Sequence, residues 1–404
     1  MNEEMNILYF GSVCRFESFE EINSSSSSTP SISTIVFESA LIEGLYQLTK
    51  KIRIYSFPMF PVFPNNKYIF IKKNVEKLDC GCEVSWIPTI NLYFFKQWSR
   101  KIYIRKVLKR WIKNNTGKKG VVLIYGINSF ASPIILKECN KAGIKCCVIV
   151  PDLPRHMYSN TDAKPKFFKL KMKYLQKAIK VQSSFDGYVY LTEKMSEEIS
   201  MEKPYVVIEG IANTIQNKKR SVKLEKKKSI MYAGGLEEKY GVLNLIEAFE
   251  KSNFSDMELW LFGDGSLQET IEYKALINHK IKYFGRVSRD VIIDYEKRSS
   301  LLVNVRNNND EFTKYSFPSK MIEYMLSGTP LLTTKLEGIP NEYYDYVFSI
   351  DNTDVENLSN KFNEIFTISE QKMNEFGESA KKFIIENKTP LIQAKRIYKL
   401  LKSL

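Results

Sequence analysis

Three segments of the chain carry residue types suited to holding an anion. In Tyr232-Ala-Gly-Gly-Leu-Glu-Glu-Lys-Tyr-Gly241 a pair of glycines follows an apolar run and precedes a helical pattern. Gly234 and Gly235 have no Cβ to keep an anion from the backbone N–H groups. Lys239 is placed to reach a phosphate, and the next helix offers its N-terminus. The spacing is neither that of a P-loop nor that of a GxGxxG dinucleotide fingerprint, and a plain strand-to-helix turn also favours glycine. A second glycine turn, Phe262-Gly-Asp-Gly-Ser-Leu267, has Gly263 and Gly265 where backbone could pack tightly beside a ligand. The third segment is Tyr315-Ser-Phe-Pro-Ser-Lys-Met-Ile-Glu-Tyr-Met-Leu-Ser-Gly-Thr-Pro330. Pro318 and Ser319 suit the first turn of a helix, whose free N–H groups, with the cationic Lys320, could bind an anion. Glu323, one turn further, could accept hydrogen bonds from the vicinal hydroxyls of a ribose; a solvated acid in a first helical turn is the plainer reading.

There are only two histidines. His156 follows a strand end and stands near Asp152, where it could be a polar contact or simply a loop residue. His279 reads as a surface turn. No Ser-His-Asp or metal-ligand grouping is visible with so few.

The elements that must position these residues follow from hydrophobic spacing. In the first half, Met5–Phe10 closed by Gly11 reads as a buried strand, 12–34 as a loop containing a serine run, and 35–48 as a helix. Further strands are expected at 51–57, 121–125, 145–150 and 187–191, with helical patterns at 133–142 and 192–200. The pattern breaks over 213–228, a Lys/Arg-rich stretch that reads as a linker. A second series follows, with strands at 229–233, 258–262, 282–284, 301–305 and 330–333. Helices at 243–251, 267–278, 290–298 and 320–326 alternate with them. Residues 374–404 read as helical, with a break at Thr389-Pro390. The alternation predicts an α/β protein with two parallel-sheet, Rossmann-like domains, over 1–215 and 216–385. A C-terminal helix, 386–404, is expected to pack back toward the first. Open parallel sheets bind ligands at the carboxyl ends of their strands, so a cleft between two such sheets is the expected site.

The order YAGGLEEKYGVLNLIEAF, WLFGDGSLQE, IKYFGRVSRD and YSFPSKMIEYMLSGTPLL resembles the donor half of a family 4 glycosyltransferase of the capsule, O-antigen or exopolysaccharide-assembling type. VIVPDLPRHM and DGYVYLTEKM resemble the acceptor-side half in outline. The resemblance implies a GT-B fold and retaining transfer from a nucleotide-diphosphate sugar to a glycan or polyprenyl-linked acceptor, with no metal. By position, Gly234, Gly235 and Lys239 would hold the diphosphate and Glu323 would grip the ribose. Gly263, Gly265, Arg286, Tyr315, Ser319 and Lys320 would complete the donor site. Lys239, Glu323, His156 and Asp152 would carry the chemistry. Two positions depart from the family pattern: Tyr315 stands where its first glutamate is expected, and Gly235 where the phosphate loop carries arginine. A catalytically weak scaffold and a sugar-nucleotide epimerase are the rival readings.

Composition narrows the classes. With 44% hydrophobic and 26% charged residues among 404, global disorder and collagen-like repeats are excluded. No stretch reaches the roughly 18 uncharged apolar residues of a membrane span. The six cysteines lack CxxC spacing, and the start lacks the basic, apolar profile of a secretory signal, so a cytoplasmic protein with reduced thiols is expected. The formal charge is +14, and residues 1–215 hold 31 basic against 19 acidic residues. Residues 94–119 contain ten Lys or Arg, no acid, and Phe94, Phe95, Trp98, Tyr103 and Trp111. Their apolar faces do not line up, which predicts two amphipathic pieces or a break near Tyr103. Aromatics with cations suit the headgroup layer of an anionic membrane, so peripheral attachment to its inner face is expected. No nucleic-acid-binding motif appears, and no nucleic-acid partner is expected.

Overall fold

The computed structural model describes residues 4–27, 32–156, 168–212, 225–308 and 310–404. Most of the expected linker, 213–224, lies outside them. The chain divides into two units, Met1–Ile211 together with Pro390–Leu404, and Ala212–Thr389.

The first unit runs β1 (Asn6–Gly11), α1 (Phe16–Ser24), α2 (Ile32–Leu48), β2 (Ile52–Ser56), β3 (Phe70–Ile71), β4 (Val75–Lys77), β5 (Glu83–Trp86), β6 (Thr89–Ile90) and α3 (Phe95–Asn114). It continues with β7 (Gly120–Tyr125), α4 (Ser132–Ala142), β8 (Lys145–Val150), α5 (Phe168–Val181), β9 (Gly187–Tyr190), α6 (Lys194–Ile199) and β10 (Tyr205–Val207). Eight strands form one sheet in the order β10-β9-β8-β7-β1-β2-β5-β4, parallel except where β4 meets β5. The strand order reverses between β1 and β7, the place where open α/β sheets bind ligands beyond the carboxyl ends of their strands. The last helix of the chain, Pro390–Ser403, belongs here: Gly44 on α2 lies so close to it that a Cβ would stand 2.0 Å from the Pro390 carbonyl.

Two expectations are corrected. The stretch read as loop contains α1, whose Phe19 and Ile22 are three residues apart and buried on one face. The basic segment forms one unbroken helix, α3, of 20 residues. Its buried stripe is Lys96, Arg100, Ile104, Val107, Leu108 and Trp111, a continuous helical face on which two cations stand where apolar residues were sought. Their stems are buried and their heads satisfied. Lys96 Nζ donates to the Phe60 carbonyl, while Arg100 Nε donates to Thr89 Oγ1 at 3.2 Å and Nη2 to the Pro58 carbonyl at 3.1 Å. Burial, with Arg100 adding to it, pulls the Lys96 pKa down to about 7. Phe94, Phe95, Trp98 and Ile102 therefore face outward, each more than half exposed.

The second unit runs β11 (Ser229–Ala233), α7 (Val242–Ser252), β12 (Glu258–Phe262), α8 (Gln268–Ile277), β13 (Ile281–Tyr283), α9 (Arg289–Arg298), β14 (Leu301–Asn304), α10 (Lys320–Ser327), β15 (Leu331–Thr334), β16 (Phe348–Ile350), α11 (Val355–Ile365) and α12 (Glu370–Asn387). All six strands are parallel, in the order β13-β12-β11-β14-β15-β16. Sequence order here is 3-2-1-4-5-6, the doubly wound arrangement, with its reversal between β11 and β14. Every residue of β11 is buried because helices cover both faces. Ile230 and Tyr232 join one core layer, Met231 and Ala233 the other. After α12 the chain breaks at Thr389-Pro390, as the sequence predicts, into α13 (Pro390–Ser403).

Candidate functional site

At the carboxyl end of β11 the two glycine turns are one construction. Gly263 has φ +129°, and a Cβ on it would lie 1.9 Å from the Gly234 carbonyl; a Cβ on Gly265 would lie 2.4 Å from the Leu236 carbonyl. Only glycine allows backbone to approach backbone so closely. The Gly234 N–H donates to the Phe262 carbonyl at 3.1 Å and that of Leu236 to the Asp264 carbonyl at 2.9 Å. Of the two glycine N–H groups expected to face an anion, that of Gly234 is thus used within the fold. Among the described residues that of Gly235 has no acceptor. Tyr232 Oη donates to the Gly235 carbonyl at 2.8 Å and fixes the turn from beneath.

Lys239 lies in a short 3-10 turn, Glu238–Tyr240, exposed, with Nζ 5.1 Å from the centre of the Tyr240 ring. Arg286 is drawn toward Asp264, its Nη1 standing 3.7 Å from Oδ2. Tyr315 ends a second 3-10 turn, Glu311–Tyr315. Ser319 is exposed at the start of α10 and makes no capping bond with its side chain.

Glu323 is not a solvated acid. Its Oε1 pairs with Lys320 Nζ, and Arg289 Nη2 donates to its Oε2 at 2.9 Å. Burial would raise its pKa, but Lys320 and Arg289 outweigh that and hold it at about 2. Behind it lies Glu296 of α9, 1% exposed and hydrogen-bonded to Glu323. Burial, then the Glu323 charge, pushes Glu296 well above the carboxylate range, so it is the protonated partner. A carboxylate has about four acceptor sites, and after Lys320, Arg289 and the Glu296 proton Glu323 keeps capacity for about one more donor, such as a single hydroxyl. The helix that carries it is tied to the glycine turn: Tyr324 Oη accepts from the Ala233 N–H at 2.8 Å and donates to the Ala233 carbonyl at 3.1 Å.

Sequence reasoning passed over Arg289, Glu296, Tyr324 and Arg306. Arg289 sits inside the quoted IKYFGRVSRD segment. Tyr324 sits inside the quoted YSFPSKMIEYMLSGTPLL segment, next to Glu323, and only Glu296 and Arg306 become visible with the strand order. A pocket of about 260 Å³ borders the end of this glycine segment, lined by Glu238, Gly241, Asn244, Asn307, Asn352 and Asp354 among others, and none of the expected site residues lines it.

In the first unit Asp152 follows β8, and burial raises its pKa. His156 closes a 3-10 turn, Pro154–His156, where its Nε2 accepts from Arg155 Nε at 3.2 Å. At the reversal between β1 and β7 a buried acid was not foreseen. Glu38 of α2 accepts from Tyr9 Oη at 2.6 Å and from the Ser12 N–H at 2.9 and 3.0 Å. Burial, opposed by these bonds, lifts its pKa to about 7. All six cysteines are free.

Residues 213–383 match the model of the family "Glycosyl transferases group 1". No curated protein sequence matches the chain. Among solved structures, sucrose-phosphate synthase from Thermosynechococcus elongatus matches with a TM-score of 0.62 at 10% identity, over 98% of both chains. Anabaena HepE in complex with UDP matches with a TM-score of 0.61 at 14% identity, over 99% of this chain and 100% of that one. The α,α-trehalose 6-phosphate synthase of Burkholderia multivorans matches with a TM-score of 0.59 at 10% identity, over 99% of each. Residues 213–383, which hold the doubly wound second sheet, thus match the group 1 glycosyltransferase family, and the chain has the α/β fold, with two parallel-sheet Rossmann-like units, of these solved structures.

Proposed function

We propose that the enzyme moves a sugar, with retention of configuration, from a nucleotide-diphosphate donor to a glycan or polyprenyl-linked acceptor in surface polysaccharide synthesis. The observation that carries the donor half is the coupling of the β11 glycine turn to α10 through Tyr324, which ties an anion seat to the carboxylate of Glu323. A GT-B relative solved with UDP supports it. The leaving diphosphate would be held by Gly235, Lys239 and the Ser319–Lys320 helix end, since stabilising developing charge is usually the largest catalytic contribution. Asp152 and His156 would serve the acceptor side, and no metal is assigned. A thermal-shift panel of UDP-, GDP-, ADP- and CMP-sugars tests this: one donor should raise the melting temperature, because a ligand of the folded state stabilises it. No response to any of them would overturn the donor assignment.

Tyr315 at the place of the family's first glutamate favours one second reading, a binding-competent scaffold without turnover. Donor binding with no product from any lipid-linked acceptor would establish it.

The enzyme would work at the inner face of the cell membrane. The outward face of α3 (Phe94, Phe95, Trp98, Ile102) adjoins exposed Phe63 and Phe70, because β3 pairs with β6 and the Phe63 N–H donates to the Asn91 carbonyl. Lys67, Lys72, Lys73 and Lys101 flank this apolar surface, which suits an anionic bilayer. Sedimentation with vesicles containing phosphatidylglycerol should fall sharply in Phe94→Ser/Trp98→Ser; unchanged binding would refute attachment through this surface.

A further inference from the structure

Arg306 follows β14, on the far side of the strand reversal from the glycine turn. Its backbone N–H is fixed by Thr334 Oγ1 at 3.0 Å. Its guanidinium stands 5.3 Å from the centre of the Tyr240 ring, the ring that also carries Lys239 at 5.1 Å. That ring abuts the turn: a Cβ on Gly235 would come within 2.9 Å of it. The loop is held down on β14, where a Cβ on Gly241 would meet the Val305 carbonyl at 2.4 Å. Two cations therefore stand at one tyrosine ring beside one glycine turn. Among the described residues Arg306 has no carboxylate partner. Burial lowers its pKa, so the fold meets a cost in keeping it there.

We propose that Arg306 is a diphosphate-binding residue that works with Lys239 across Tyr240, in the role of the arginine missing at Gly235. The assignment rests on the nucleotide-sugar reading above. A planar guanidinium binds phosphate oxygens two at a time, whereas lysine adds a point charge. The ring attracts both cations, and an anion carrying two or more charges offsets their mutual repulsion. Strand order explains why a residue some 70 positions downstream serves this turn, since β11 and β14 are hydrogen-bonded neighbours.

The test is calorimetric binding of UDP, GDP and ADP, and of uridine, guanosine and adenosine, to the full chain. In wild type one diphosphate should bind. Arg306→Gln should weaken it about 30-fold or more and Arg306→Lys about tenfold, with the matching nucleoside within about twofold of wild type. Equal losses for diphosphate and nucleoside in Arg306→Gln would show a structural role only and overturn the assignment. Unchanged diphosphate binding would overturn it too, while leaving the donor reading in place. A wild-type chain that binds none of the three diphosphates would defeat the donor reading and the assignment together. Should Arg306→Gln fail to fold, the Lys variant decides, because it keeps the charge and removes only the paired N–H donors.

Discussion

Glu296 and Glu323 form a buried carboxyl pair in which Glu296 holds the proton and Glu323 the charge. The asymmetry arises because Arg289 and Lys320 both address Glu323. An acid prepared in this way stays ionised throughout the working pH range and accepts hydrogen bonds without donating any.

Replacing Glu323 by Ala should therefore cut kcat/KM by at least about a hundredfold, since it also leaves two cations without their counter-charge. Circular dichroism should still show a folded protein. No limb of the pH–rate profile between pH 5 and 8 should belong to Glu323. A limb in that range that disappears in Glu323→Gln would contradict this pairing.

Gly263→Ala should be among the most damaging single-methyl changes in the second unit. The methyl would enter the Gly234 carbonyl at 1.9 Å from a backbone at φ +129°. A loss of roughly 2 kcal/mol or more is expected, with donor affinity falling alongside, because both turns must move. Urea denaturation together with donor titration measures both.

In the first unit, a Cβ on Gly11 would lie 1.9 Å from Glu38 Oε2, an oxygen held in place by Tyr9. Gly11→Ala should destabilise by about 2 kcal/mol or more, and adding Glu38→Ala should cost less than the sum of the two single changes. Additive losses in denaturant melts would show that the two positions are independent.

Glu38 also gives the enzyme a pH dependence. Its folded pKa, about 7, lies above the value of 4.5 for a free glutamic acid. The folded state thus binds more protons between those values, and stability falls as pH rises. The stabilising contribution is complete below pH 4.5 and lost as pH passes through 7. Glu38→Gln, neutral at every pH, should flatten that part of the stability curve. A curve of unchanged slope would place the titration elsewhere.

The second unit was more legible than the first, for physical reasons. Its strands are buried apolar runs broken by glycine turns, so Ser229–Ala233 and Glu258–Phe262 were readable to the residue. The short strands β3 to β6 are two to four residues long and carry too little pattern to detect. On α3 the period was present but written in Lys96 and Arg100, whose stems act as apolar groups once their heads find carbonyls. At the site, the glycines and Glu323 were visible because they are local. Arg306 and Glu296 matter only through neighbours distant in sequence, and no spacing rule reports which strands lie side by side.

The first unit is assembled from both ends of the chain, with α13 returning to pack on α2. Residues 212–389 are in that sense a guest inserted into a host. The guest's two ends meet, for the Ala212 N–H donates to the Lys388 carbonyl at 2.8 Å. A segment whose ends meet can be excised and expressed by itself, or replaced by a short loop, without forcing either half apart. Clipping the chain just before Pro390 would do the opposite. It would leave the second unit whole and strip a helix from the core of the first, so damage at the C-terminal helix would be felt first in the unit that opens with β1.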